Sequence, residues 1–160
     1  MKTIALPKLS TPGKLEIARA ALANDLPALS KLIAAIPGDP KARNTTKYFA
    51  TRFLTWFENQ SRPALFSIFA AAGNKKLPFY AYSSLPGFDC PGAGACLFGE
   101  GNKRDSDNFA AGWCYSFKGW RYPAAFFRQL QNSVLLRSKA GRETVASQFH
   151  EIPAGRTLRL

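Results

Sequence analysis

All three cysteines of the chain lie in one glycine-rich segment, and thiolates are ligands that zinc and iron–sulfur clusters favour. Cys90, Cys96 and Cys114 follow the spacing C-x5-C-x17-C within residues 89–123. Three thiolates suit a four-iron cluster that keeps one iron open for an exogenous ligand. The flanking glycines would let the backbone wrap closely around a bound group. The cysteines therefore predict a metal site that holds an iron–sulfur cluster or zinc.

Two other interpretations of the cysteines stay open. They can be small buried residues, and Cys114, between two aromatic residues, fits this better than Cys90 and Cys96, which have Pro and Gly neighbours. A structural zinc site needs four ligands. With three cysteines, the fourth would have to come from the single histidine, His150, which lies far along the chain. A Cys–His nucleophile that uses His150 is also open, because proximity in the fold is not visible in the sequence.

Aromatic and basic residues alternate directly after the third cysteine. The segment FKGWRY contains Lys118, Trp120, Arg121 and Tyr122. Aromatic rings can stack on unpaired bases while cations contact phosphates, so these four residues are predicted to bind nucleic acid. The alternative is that the rings are buried and only the charges are exposed.

The same segment precedes a predicted helix. Pro123 suits the first turn of a helix, where free amides and the helix dipole attract anions. Lys118 and Arg121 are therefore predicted to bind an anionic group of a cofactor or substrate at the mouth of the cysteine loop. Asn132 lies about 13–14 Å further along the helix axis. It is too far to share that anion, so we expect it to fix a neighbouring loop by hydrogen bonds.

The overall charge points to a polyanionic partner. The chain of 160 residues carries 22 Lys and Arg against 10 Asp and Glu, a net charge of +12. Such a charge favours nucleic acid or an acidic surface as a partner, although it is spread along the chain and forms no polybasic tail. No apolar run is long enough to span a membrane, and the N-terminus does not read as a secretory signal. The sequence therefore predicts a cytoplasmic protein, where clustered cysteines rarely form disulfides.

Helical periodicity dominates residues 1–60. Ser10 marks the start of a first helix, and Asp25 can cap a second helix that has Pro27 in its first turn. A third helix is predicted from Arg43 to Asn59, with an aromatic stripe facing the core. The residues expected to be buried together are Leu22, Leu32, Ile36, Phe49, Phe53 and Phe57.

Residues 61–160 mix strands and helices, which predicts an α/β or α+β fold for one domain over residues 1–160. The order strand, cysteine loop, helix, strand is that of a βα unit, whose functional loops lie at the C-terminal ends of parallel strands. The elements expected here, in chain order, are a strand around residues 66–70, a turn at 73–76, a strand at 79–84, a helix from Pro123, a break at 139–141, a second helix and a strand at 156–160. The first of these strands could also be a helix.

Two motifs in this half resemble a family of phage and plasmid proteins labelled gene product 88. They are SLPGFDCPGAGACLFG and WCYSFKGWRYP, followed by an asparagine on the next helix. The resemblance covers roughly residues 75–160 and implies an origin on a mobile genetic element, without a defined activity. Family members continue past the strand that matches TLRL with a GDF-like turn, which this chain lacks, so we expect a C-terminally shortened version. The matching residues are Leu85, Pro86, Cys90, Pro91, Gly92, Cys96, Cys114, Tyr115, Lys118, Gly119 and Asn132.

Three functions follow as hypotheses, and the sequence leaves open whether any of them involves catalysis. The first is a mobile-element protein that binds a metal or an iron–sulfur cluster and acts on or near nucleic acid. The second is a basic nucleic-acid-binding accessory protein without a metal. The third is a protein that binds a host partner through its helical half.

Overall fold

The computed structural model describes residues 10–59, 63–71, 79–90, 92–100, 109 and 111–159. Within these residues it contains seven α-helices, one 3₁₀ turn and a small three-stranded sheet. In chain order they are α1 (Thr11–Leu22), α2 (Leu26–Ala34), α3 (Thr46–Glu58), β1 (Phe69–Ala71), β2 (Phe79–Tyr82), α4 (Ala95–Phe98), α5 (Tyr115–Lys118), the 3₁₀ turn (Gly119–Arg121), α6 (Pro123–Leu136), α7 (Lys139–His150) and β3 (Thr157–Arg159).

The first two N-terminal helices begin at the capping residues that the sequence predicts. The hydroxyl of Ser10 accepts a hydrogen bond from the Gly13 amide, and the carboxylate of Asp25 accepts one from the Ala28 amide. These side chains satisfy amides that have no partner inside the helix. The third helix starts later than predicted, at Thr46, because Asn44 adopts a left-handed φ of 65° and Thr45 provides the cap.

One hydrophobic core joins the N-terminal helices to the second half of the chain. Helices α1 and α3 both pack on α6, and Phe53 of α3 lies 5.6 Å from Phe127 of α6 between ring centroids. Ile36, Phe53 and Phe57 are buried in this core, and the other residues expected there are partly buried against it. Those residues are Leu22, Leu32 and Phe49.

The sheet contains the predicted parallel pair. Strand β1 runs antiparallel to β2, with Phe69 opposite Tyr82, and β2 runs parallel to β3, with Phe79 opposite Thr157. The connection between the parallel strands passes through α6 and α7, as a βα crossover requires. The predicted α/β or α+β class is therefore confirmed. The predicted turn at residues 73–76 lies outside the described residues.

The predicted break at residues 139–141 is wrong. The helices separate at Arg137 and Ser138, and α7 begins directly at Lys139. The Ser138 hydroxyl accepts a hydrogen bond from the Gly141 amide at 3.0 Å, so Gly141 lies in the first turn of the helix. A Cβ at Gly141 would lie 2.1 Å from the Leu135 carbonyl oxygen. The glycine is needed for close packing at this corner, and it does not end a helix.

Among the described helices, none has the length and apolarity that a membrane span needs.

Candidate functional site

A cleft of about 700 Å³ extends along β2 and past the C-terminal ends of the parallel strands β2 and β3. The segment that leaves β2, from Ser83 to Cys90, forms one wall, and the segment from Cys114 to Tyr122 forms the opposite wall. Arg159 contributes from the end of β3. Functional loops of parallel α/β structures occupy this edge of the sheet, so the cleft is the leading candidate for a site.

The first wall is held by a buried polar face of α6. The Asn132 side-chain amide donates a hydrogen bond to the Ser83 carbonyl at 2.8 Å, and the Ser133 hydroxyl accepts one from the Leu85 amide at 2.9 Å. Both side chains are fully buried. Buried backbone groups need such partners, and here α6 supplies what a neighbouring strand would supply. The expectation that Asn132 fixes a neighbouring loop is confirmed.

The two walls are joined by Gln129, which is buried beneath them. Its amide nitrogen donates to the Ser83 hydroxyl at 2.8 Å and to the Ser116 hydroxyl at 3.1 Å. Its carbonyl oxygen accepts from the Trp120 indole N–H at 2.9 Å. One side chain thereby sets the position of both walls relative to α6.

Trp120 is a core residue. Its side chain is 1% exposed and packs against the rings of Phe126 and Phe117 at centroid distances of 4.9 and 5.1 Å. A buried indole cannot stack on a base, so the prediction that Trp120 binds nucleic acid is wrong. The alternation of aromatic and basic residues in FKGWRY does not indicate which rings are buried. The 3₁₀ turn directs Trp120 inward, while Arg121 and Tyr122 remain exposed.

Of the residues that the structure describes, three exposed cations border the cleft: Lys118, Arg121 and Arg159. Within the described part of the chain, none of them forms an ion pair. Arg121 lies over the ring of Tyr122 at 5.1 Å, and Arg159 lies over the ring of Tyr115 at 5.5 Å. These contacts hold the guanidinium groups near exposed aromatic faces and leave their N–H groups available to an anion.

Among the described residues, one carboxylate lines the cleft, and the protein itself neutralises it. Asp89 lies 2.7 Å from the Arg137 guanidinium and accepts a hydrogen bond from the Ser133 hydroxyl. Its side chain is 11% exposed. The cleft therefore presents an excess of positive charge.

Tyr82 lies beside Asp89 on the cleft wall. Burial and, secondarily, the negative charge of Asp89 raise the pKa of Tyr82 to about 12. Both effects disfavour the phenolate. The Tyr82 hydroxyl is therefore neutral at physiological pH.

The three cysteines share their surroundings in pairs, with Cys114 common to both pairs. Cys90 and Cys114 line the cleft. Cys96 lies on α4 and, like Cys114, packs against the small cluster of Ala93, Leu97 and Phe98. Among the described residues, no three His, Cys, Asp or Glu side chains are grouped so that they could hold a metal ion. The zinc or iron–sulfur ligand set of Cys90, Cys96 and Cys114 therefore stays a prediction.

Comparison of the chain with protein-family models, with curated proteins and with solved structures finds no match. The resemblance to gene product 88 stays a prediction that rests on its motif residues.

Several residues of the site escaped the sequence analysis. Arg159 and Tyr115 border the cleft, and Gln129 and Lys14 position its walls. Arg159 could have been found from the sequence. It stands at the end of a strand that runs parallel to β2, so it must lie at the edge of the sheet that carries the cysteine loop. No local pattern in the sequence indicates the role of Lys14, because Trp120, which it contacts, is 106 residues away.

Proposed function

We propose that this cleft binds single-stranded nucleic acid. Phosphates would bind at Lys118, Arg121 and Arg159, and unpaired bases would stack on Tyr115 and Tyr122. The observation that carries the proposal is the pairing of exposed cations with exposed tyrosine rings around one cleft. Proteins that bind single strands combine a positive groove with aromatic faces in this way.

The geometry favours a single strand over a duplex. The rings of Tyr115 and Tyr122 are 73% and 59% exposed, and only an unstacked base can lie against such a ring. Duplex readers insert a helix or a β-ribbon into a groove. The elements beside this cleft are short, because α5 has four residues and the 3₁₀ turn has three.

The electrostatics support the same ligand. A net charge of +12 attracts polyanions over long range, and the cleft concentrates cations that carry no carboxylate partner among the described residues. Stacking and phosphate contacts read no base edge, so binding should tolerate different sequences. A mobile-element origin and a cytoplasmic location would suit this activity and stay predictions.

A thiolate-bound metal or cluster stays a separate prediction. Two of its three ligands, Cys90 and Cys114, line the cleft, and Cys96 packs with Cys114 against the cluster around Leu97. Metal analysis and an absorbance spectrum after anaerobic purification test it. A colourless, metal-free protein that binds oligonucleotides normally would leave the cleft proposal intact and end the metal prediction.

The test of the cleft compares two charge-matched double variants. K118A/R121A removes one Lys and one Arg from the cleft, and K31A/R43A removes one of each from exposed positions in the N-terminal half. Fluorescence anisotropy would follow binding to labelled oligothymidylate of about 12 nucleotides, a length within the site sizes of single-strand binding proteins. We expect the cleft variant to lose at least about tenfold in affinity, or about 1.4 kcal/mol, and the control variant to lose much less.

Salt dependence gives a second readout of the same pair. If two phosphate contacts are lost, the slope of log K against log salt should become shallower by about 1.4, at roughly 0.7 per phosphate of a single strand. Equal losses of affinity and equal salt slopes for the two variants would show that binding depends only on net charge. That result would contradict the cleft as the binding site.

A further inference from the structure

Trp113 is an exposed aromatic residue that the cleft does not explain. Its side chain is 72% exposed, and it lies outside the cleft lining. Tryptophan is highly buried on average in folded proteins, and an indole gains a great deal when it leaves water. We therefore expect the exposed Trp113 side chain to contact a binding partner.

The backbone around Trp113 is held in place on both sides. The Gly112 amide donates to the Leu97 carbonyl at 3.0 Å, and a Cβ at Gly112 would lie 2.3 Å from the Ala95 carbonyl oxygen. On the other side, Cys114 is partly buried against the cluster around Leu97. An exposed ring on an anchored backbone loses little conformational entropy when it binds, because only its two side-chain torsions remain to be fixed.

The exposed aromatic residues are concentrated beside the cleft. Four large hydrophobic side chains are exposed in the described part of the chain, and three of them lie in residues 113–122. Those three are Trp113, Tyr115 and Tyr122. Scattered exposed hydrophobic residues need no explanation, but a cluster that adjoins a positive cleft matches the composition of a strand-binding track.

We propose that Trp113 stacks on a base of the same strand where that strand leaves the cleft. This inference rests on the proposed function. It assigns the ligand as a continuous strand longer than the cleft alone holds, rather than a mononucleotide. The charge complementarity of Lys118, Arg121 and Arg159 with a phosphate backbone selects nucleic acid over an apolar protein partner for this ring.

The test measures affinity as a function of strand length. Thymidine monophosphate and oligothymidylates up to about 12 nucleotides would be titrated against wild-type protein and against the Trp113→Ala and Trp113→Phe variants. We expect Trp113→Ala to weaken binding of the longer strands by about 5- to 150-fold, the range for loss of one stacked base. Binding of the monophosphate should not change, and Trp113→Phe should retain most of the affinity for long strands.

The possible outcomes separate this inference from the proposed function. If wild-type protein binds long strands but Trp113→Ala binds them equally well, the outer stacking site is wrong and the cleft stands. If Trp113→Ala weakens every length equally, the ring acts on the cleft structure and the inference is also overturned. If wild-type protein binds no strand of any length, the cleft proposal fails together with this inference.

Discussion

The Lys14 ammonium group donates a hydrogen bond to the Trp120 backbone carbonyl at 2.6 Å, although the two residues are 106 positions apart. Lys14 is only 7% exposed and belongs to α1, whereas Trp120 lies in the 3₁₀ turn that carries Arg121. This contact satisfies a carbonyl at the end of a short turn, where intrahelical partners are lacking. The first helix thereby helps to position the cationic wall of the cleft.

Replacing Lys14 should therefore destabilise the protein. In Lys14→Met the Trp120 carbonyl loses a charged donor, and hydrogen bonds to charged groups contribute about 1.5–3 kcal/mol. Part of this loss is offset because a buried ammonium group no longer has to leave water. We expect the free energy of unfolding, from urea titration, to fall by about 1–2 kcal/mol. Lys31→Met, at an exposed position on α2, is the control and should change little; equal effects of the two variants would refute the role of Lys14.

Gln129→Leu should loosen both walls of the cleft. The substitution fills the space of Gln129 with an apolar side chain. It removes the hydrogen-bond partner of the Trp120 indole and of the Ser83 and Ser116 hydroxyls. A buried group without a partner costs about 1–3 kcal/mol, so the free energy of unfolding should fall by at least that amount. Tryptophan fluorescence at equilibrium in denaturant would measure it. Unchanged stability would mean that the two walls are held independently of Gln129.

The sequence predicted those parts of the fold that depend on local signals. Ser10 and Asp25 cap their helices as their residue types require, and the stripe on α3 faces the core because its period matches the helix. The position of Trp120 could not be predicted in this way, because its burial depends on Gln129 and on the rings of α6. The polar residues of α6 bind backbone groups of distant segments, and a sequence contains no local signal for such partners.

Two glycines provide a matched pair for testing close packing. Gly141→Ala would place a Cβ 2.1 Å from the Leu135 carbonyl oxygen, whereas a Cβ at Gly92 meets no atom within 4 Å. Alanine improves helix propensity by up to about 1 kcal/mol, but overpacking against backbone typically costs about 1–3 kcal/mol. We expect Gly141→Ala to lower the thermal midpoint and Gly92→Ala to leave it unchanged. A stabilised Gly141→Ala protein would show that the corner between α6 and α7 can open freely.

Tyr82 should make stability sensitive to alkaline pH. Burial and Asp89 raise its pKa from 10.0 to about 12 in the folded state, so folding favours the neutral phenol. This contribution is complete below pH 10.0 and is lost as pH rises toward 12, because the unfolded state releases its proton first. The effect should be small, since the side chain is partly exposed. Tyr82→Phe should lose less stability than wild type over this interval in denaturant titrations; identical pH profiles would contradict the assignment.

The cysteines show which features of a site can be predicted from residue types alone and which require the folded structure. Their clustering in sequence does place Cys90 and Cys114 on one cleft, but it cannot show that Cys96 packs with Cys114 against the apolar cluster around Leu97. Chain spacing limits how far apart three thiols can lie and does not determine which way they point. Arg159 illustrates the reverse case, since it adjoins the cleft through strand pairing without any motif around it.

Photochemical cross-linking tests the cleft most directly, because it reports where a strand lies on the protein. An oligonucleotide of about 12 residues that carries a photoreactive uracil analogue would be irradiated with the protein, and the modified peptides would be sequenced by mass spectrometry. The account predicts adducts on Tyr115 and Tyr122. Tyr48 of α3 is an internal control, since Arg52 lies over its ring at 5.3 Å and Tyr48 does not line this cleft. Adducts confined to Tyr48 or to other residues of α1–α3 would contradict the cleft as the binding site.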